Sequence, residues 1–133
     1  MPSKDKLYED LGWVTDRLST QVRTVALGVL AVSWTLLVSD SVQAQSIAQL
    51  LRFHLLATGF LSISALGLDF CQYVAYYCKG GLLLRRMEKE NLTEAAFDRS
   101  GLLYRIQDVC FVGKQIVTGA AVVWLLVAIS KVL

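Results

Sequence analysis

Three long runs with almost no charge, divided by short charged stretches, decide most of what this chain can fold into. Residues 24–38 read TVALGVLAVSWTLLV and contain no charge. Residues 53–78 read FHLLATGFLSISALGLDFCQYVAYYC, with one acid, Asp69. Residues 106–129 read IQDVCFVGKQIVTGAAVVWLLVAI, with Lys114 inside and Asp108 at the edge. A helix that crosses a bilayer needs ~20 mainly apolar residues, with a range of about 17–25. The second and third runs meet this directly. The first meets it by drawing in residues 18–23, where the Arg23 stem lies in lipid and its head snorkels outward. Three such helices in 133 residues leave too little polar chain to cover them from water. The composition agrees: 55% hydrophobic and 18% charged, against about 45–50% and ~25% in soluble domains. The expectation is an all-α membrane protein, one domain over 1–133. Its transmembrane helices span 23–39, 53–78 and 106–130.

Ahead of the first span, Leu7, Leu11, Val14, Leu18 and Val22 recur at helical steps, so an amphipathic helix is expected over 4–22. Tyr8 and Trp13 suit a membrane interface. This helix is expected to lie on the membrane surface or against the loop, bending at Gly12 where it joins the span. Val42-Gln43-Ala44 has the small-residue pattern of a signal-peptide cleavage site. The leader before it is long and carries Asp5, Glu9, Asp10 and Asp16, so the first span is expected to be an uncleaved anchor. Residues 39–49 read as a polar turn, with Asp40 or Ser41 capping the next helix. Residues 79–105 read as a loop opened by a break at Gly80-Gly81, with Thr93 and Ser100 as caps.

Basic residues orient the chain. Lys4, Lys6, Arg17 and Arg23 lie on the arm, and Lys79, Arg85, Arg86, Lys89, Arg99 and Arg105 on the loop. Together they are ten of the thirteen Lys and Arg. Arg52 and Lys131 fall on the other side. Three spans place arm and loop on one side, which the positive-inside rule makes cytoplasmic, with the C-terminus outside. The expected location is the bacterial inner (plasma) membrane. Asn91-Leu92-Thr93 matches a glycosylation sequon that a cytoplasmic loop makes irrelevant.

The second span carries the most telling pattern. His54, Thr58, Ser62, Ala65, Asp69, Gln72 and Tyr76 follow one another at steps of three and four, so one helix face is polar or small across the bilayer. Polar groups facing lipid are costly, so the stripe should face protein or water. On the third span Gln107, Phe111, Lys114, Thr118, Ala121 and Leu125 share a face. On the first, Thr24, Gly28, Ala31 and Thr35 form a small-residue face that permits close helix approach. Asp69 lies about eight residues in from the cytoplasmic end of its span and Lys114 about seven, so ~12 Å and ~10 Å deep. An ion pair between Asp69 and Lys114 is expected, within one chain or between neighbours.

Two function classes fit. The stripe favours a self-assembling homo-oligomeric pore or channel, extending to a small effector that permeabilises its own membrane. His54, Thr58, Ser62, Asp69, Gln72 and Tyr76 would then line the path or the interface. The charged, leucine-bearing loop favours an accessory subunit that anchors a protein partner. The plainer reading of the stripe is internal glue in a closed bundle. A proton transporter working through Asp69 has little support from three spans without an inverted repeat. Catalytic, cofactor and metal residues are not expected: Cys71, Cys78 and Cys110 form no CxxC pair, and the single His54 cannot complete a metal site with them. The net charge of +2 argues against a nucleic-acid partner.

Overall fold

The computed structural model describes residues 4–91, 93 and 101–132. Three helices account for nearly all of them: α1 (Lys4–Val38), α2 (Val42–Glu90) and α3 (Leu102–Ser130). The described residues include no strand. Each helix is long and apolar enough to cross a membrane, so the chain reads as an integral, multi-pass membrane protein.

The helices run further than the apolar runs that announced them. α1 is a single uninterrupted helix of 35 residues, ~52 Å long. The separate interfacial helix expected over 4–22 is therefore not a distinct element; it is the first half of α1. A helical glycine costs only ~1 kcal/mol relative to alanine, and Gly12 does not interrupt the turn sequence around it. Leu7, Leu11, Trp13 and Val14 on this half are exposed, and the Tyr8 side chain lies outside the described part.

α2 covers 49 residues, ~73 Å, more than twice the ~30 Å hydrocarbon thickness. It begins at Val42, so the first turn is only residues 39–41. Ser41 is the N-cap, its Oγ accepting from the Ala44 N–H at 3.2 Å. At the other end the helix continues through Gly80 and Gly81 to Glu90, which corrects the expected break and the expected loop start at Lys79; α3 begins at Leu102, so residues 102–105 are helical as well. The stop is Asn91, at φ 50°, whose N–H donates to Met87 O. Asparagine tolerates that left-handed conformation, a common helix terminator. α3 starts from Gly101 without a side-chain cap. The residues that follow Thr93, with Arg99 and Ser100, lie outside the described residues, and so does the capping expected of Thr93 and Ser100.

Aromatic side chains recur at similar separations along the three helices. Trp13 and Trp34 are 21 positions apart on α1, Phe53 and Tyr76 are 23 apart on α2, and Tyr104 and Trp124 are 20 apart on α3. At 1.5 Å per residue these separations are about 30–35 Å, comparable to the hydrocarbon thickness of a bilayer.

In these helices the packing inverts that of a water-soluble protein. The buried side chains of α2 are mostly small or polar, Thr58, Ser62, Ala65, Asp69 and Gln72 among them. Phe53, Leu56, Phe60, Ile63 and Phe70 face outward. Lipid solvates large apolar groups as well as a core does, so close helix contact falls to small residues and hydrogen bonds. α2 is the central helix and packs on both others, most extensively on α3. Gly113 faces Leu68 there, and a Cβ on it would make an ordinary contact with Leu68 Cδ1 at 3.4 Å. An aliphatic cluster of Leu51, Leu55 and Ala128, with Leu36, Leu37, Ile47 and Leu125 around it, closes the end near the α1–α2 turn.

α1 turns a different face inward from the one its sequence suggested. Ser19, Val22, Ala26, Val29 and Ser33 are buried. Thr24, Gly28, Ala31 and Thr35 are exposed, and a Cβ on Gly28 would meet nothing within 4 Å. Both faces are small, and which one packs is set by the ion contact described next.

Candidate functional site: a charged node in a polar seam

Asp69 sits where the three helices meet, and it is 5% exposed. Lys114 of α3 is fully buried, and its Nζ donates to Asp69 Oδ1 at 2.5 Å and to Ser19 Oγ of α1 at 2.6 Å. Arg23 of α1 donates to the other carboxylate oxygen, Oδ2, from Nε at 2.9 Å and Nη2 at 2.8 Å. Both oxygens of one acid are thus engaged by cations from two different helices. Aromatic faces support the cations: Lys114 lies 5.5 Å from the Phe111 ring centroid and Arg23 lies 5.3 Å from that of Tyr73.

Depth explains why these residues meet. Antiparallel neighbours bring Asp69 and Lys114 to one level. Arg23 reaches that level because long side chains on a helix lean toward its N-terminus. A lone charge at such depth costs at least ~2.5 kcal/mol on insertion scales, and each member here is relieved by a partner. Two cations against one acid leave the node with a surplus positive charge. Sequence reading placed Arg23 on the arm as a snorkelling residue. A count along the sequence leaves it at the edge of the span, and only the reach and lean of its side chain bring it to Asp69.

The rest of the stripe divides into an enclosed middle and free ends. Thr58 and Ser62 are 0% exposed. Their hydroxyls donate to their own helix, Thr58 Oγ1 to His54 O at 2.7 Å and Ser62 Oγ to Thr58 O at 3.0 Å. Gln72 is buried as well, whereas Tyr76 is 54% exposed and leaves the seam. His54 is half-buried beside Trp124, with ring centroids 5.8 Å apart, and its Nε2 lies 2.9 Å from Lys131 Nζ. From α3, Lys114, Thr118 and Ala121 face the same interior. At the N-terminal end Lys79 Nζ donates to Gln107 Oε1 at 2.9 Å and lies over the Tyr104 ring at 5.0 Å. Among the described residues, Ser33 Oγ, Gln72 Oε1 and Thr118 Oγ1 are enclosed without a hydrogen-bond partner. The polar interior is therefore completed at the node and incompletely matched above and below it.

The outer wall of the node is open. A cleft of about 540 Å³ between α1 and α2 is lined by Arg23, Leu66, Asp69, Phe70 and Tyr73. The Arg23 side chain keeps 42% of its surface there. A second hollow of about 420 Å³ shares Tyr73 and runs toward the N-terminal end past Gly12, Thr15, Ser19 and Gln72. Among the described residues, no group of His, Cys, Asp and Glu is arranged to hold a metal ion. Cys71 and Cys78 are exposed free thiols, and Cys110 is a buried one.

Compared with protein-family models, curated proteins and solved structures, the chain matches none.

Proposed function

We propose that this chain is a non-catalytic anchoring subunit of the plasma membrane. Its three spans form a self-contained bundle that holds the projecting ends of α1 and α2 in the cytoplasm for a protein partner. The observation that carries this reading is the enclosure of the α2 polar face within one chain. Thr58, Ser62, Asp69 and Gln72 are between 0 and 9% exposed. A pore shared between subunits needs that face turned outward, whereas a stable anchor needs it turned inward.

The projection supports the reading. Beyond Tyr77, α2 continues 13 residues to Glu90, ~20 Å of further helix. It carries Arg85, Arg86 and Lys89 against Glu88 and Glu90, with Arg86 paired to Glu90 at 3.2 Å and Leu82 and Leu84 exposed. Apolar side chains beside a net excess of cations suit an acidic partner surface with an apolar centre. The arm of α1, with exposed Leu7, Leu11 and Val14, belongs to the same side. The cytoplasmic assignment rests on the bias of basic residues toward these segments.

A second reading, homo-oligomerisation through α1, is favoured by its unpartnered face of Thr24, Gly28, Ala31 and Thr35, which invites close helix contact. The mass of the full chain, extracted in mild detergent and moved to nanodiscs, separates the two. Anchoring predicts one chain with a stoichiometric foreign partner, lost in Leu82→Asp/Leu84→Asp. A ring of identical chains that conducts cations, disrupted by Gly28→Leu, would overturn it.

A further inference from the structure

We infer that the hollow between α1 and α2 beside their connecting turn is a site for an anionic phospholipid, with the phosphate on Arg52 and an acyl chain leaving past Leu56. The hollow measures about 390 Å³, and its wall changes character along its length. On α2 the lining runs Gln45, Gln49, Arg52, Leu56, at steps of four, three and four, so these side chains share one helix face. The end toward the turn is polar, and the end toward the middle of the bundle is apolar. Trp34 and Leu37 of α1 make the opposite wall. A phospholipid presents the same order of chemistries, phosphate first and hydrocarbon after.

Arg52 is free to take the phosphate. It is exposed, and among the described residues it forms no ion pair and no hydrogen bond. Lys131, the other cation at this end, is turned to His54 instead. The acid nearest in sequence, Asp40, sits in the turn and does not line the hollow. Both edges of the guanidinium are therefore open, and its fork matches two phosphate oxygens. The exposed Gln45 and Gln49 stand next along the same face, with amide N–H groups for the remaining oxygens. One unpaired cation is neutralised by a lipid of net charge −1 and not by a zwitterion, which selects an anionic headgroup.

Depth agrees with this placement. Arg52 immediately precedes the apolar run 53–78, and Leu37, across the hollow, is one position from the end of the uncharged run 24–38. Both walls thus put the site at the edge of the hydrocarbon. A long side chain on a helix leans toward its N-terminus, so Arg52 reaches toward Gln49 and away from the apolar run. A phosphate held there keeps its glycerol at the interface. Its acyl chain enters lipid past Leu56, about one turn further in, and past Trp34, whose ring suits such a boundary. The arrangement serves either leaflet, so the site does not depend on which end of the chain is cytoplasmic.

The test is lipid retention by the purified full chain in neutral detergent, read by native mass spectrometry. The probes are phosphatidylglycerol and phosphatidylcholine with the same acyl chains. Wild type should retain phosphatidylglycerol about five-fold better, the effect of one cation at a membrane surface. Arg52→Gln should bring the ratio close to one and leave the melting temperature in detergent unchanged, because the side chain it replaces is exposed and unpaired. Lys131→Gln removes a cation from the same end without touching the hollow, so it should keep the five-fold preference. Glycerol phosphate at equal concentration should not displace the lipid. Equal retention of both lipids by wild type, or an undiminished preference in Arg52→Gln, would overturn the site. So would a loss in Lys131→Gln as large as that in Arg52→Gln, or displacement by glycerol phosphate.

Discussion

One carboxylate decides how this molecule is held together. Asp69 links α1 and α3 through Arg23 and Lys114, so removing it strands two cations at once. Breaking a buried pair by removing one partner typically costs about 3–5 kcal/mol. Asp69→Asn is expected to fall in that range, measured as denaturant unfolding in micelles. Asp69→Asn/Lys114→Met should recover only part of the loss, because Arg23 still lacks its acid. Adding Arg23→Met should recover more. If the double variant equals the sum of its singles, the residues are not coupled and the node has no energetic reality. Asp69 and Lys114 were legible because matching depth on antiparallel spans is arithmetic on residue numbers. Arg23 was not, since a linear count leaves it at the edge of a span and ignores the reach and lean of its side chain. The inward face of α1 was missed for the same reason. Two small-residue faces compete in the sequence, and the contacts of Ser19 and Arg23 with the other helices choose between them.

At the scale of helices, hydropathy found all three helices but not where they end. It reports where lipid is, and α2 continues as a helix where lipid has stopped. Gly80-Gly81 reads as a break because glycine is a poor helix former, but the cost of ~1 kcal/mol each is small against the turns on either side. Asn91, with its left-handed φ of 50°, is the stronger stop signal, and it lies ten residues later. This gives a direct expectation. Both glycines have open space where a Cβ would stand, so Gly80→Ala/Gly81→Ala should stabilise the projection by about 1–2 kcal/mol. Gly81→Pro should disconnect it, since proline in a helix interior costs ~3 kcal/mol or more. Amide hydrogen exchange over 82–90 should slow in the first variant and accelerate in the second, with residues 53–75 unchanged in both. Identical exchange in the two variants would mean that the helix does not run through this point.

For the molecule as a whole, the inverted packing and the charge distribution make one joint demand. A bundle with Phe53, Phe60 and Phe70 outside and Thr58, Ser62 and Asp69 inside is stable only where the surroundings are hydrocarbon, so its axis must cross the bilayer. Once it crosses, the two ends are unequal. Lys4, Lys6, Arg17, Lys79, Arg85, Arg86, Lys89, Arg99 and Arg105 belong to one end, and Arg52 and Lys131 to the other. Arg23 leaves the count, because its charge is spent on Asp69 inside the span, yet the imbalance still exceeds four to one. The basic end should be cytoplasmic. Single cysteines at Gln45 and Asn91 report the two ends, since both positions are exposed. The background must replace Cys71 and Cys78, which are exposed, and Cys110. In intact cells an impermeant maleimide should label the variant at Gln45 and leave the one at Asn91 untouched until the membrane is opened. Labelling at Asn91 alone would reverse the orientation. Labelling of both in intact cells would mean that the chain does not separate its ends across the membrane, and the anchoring role would fall with it.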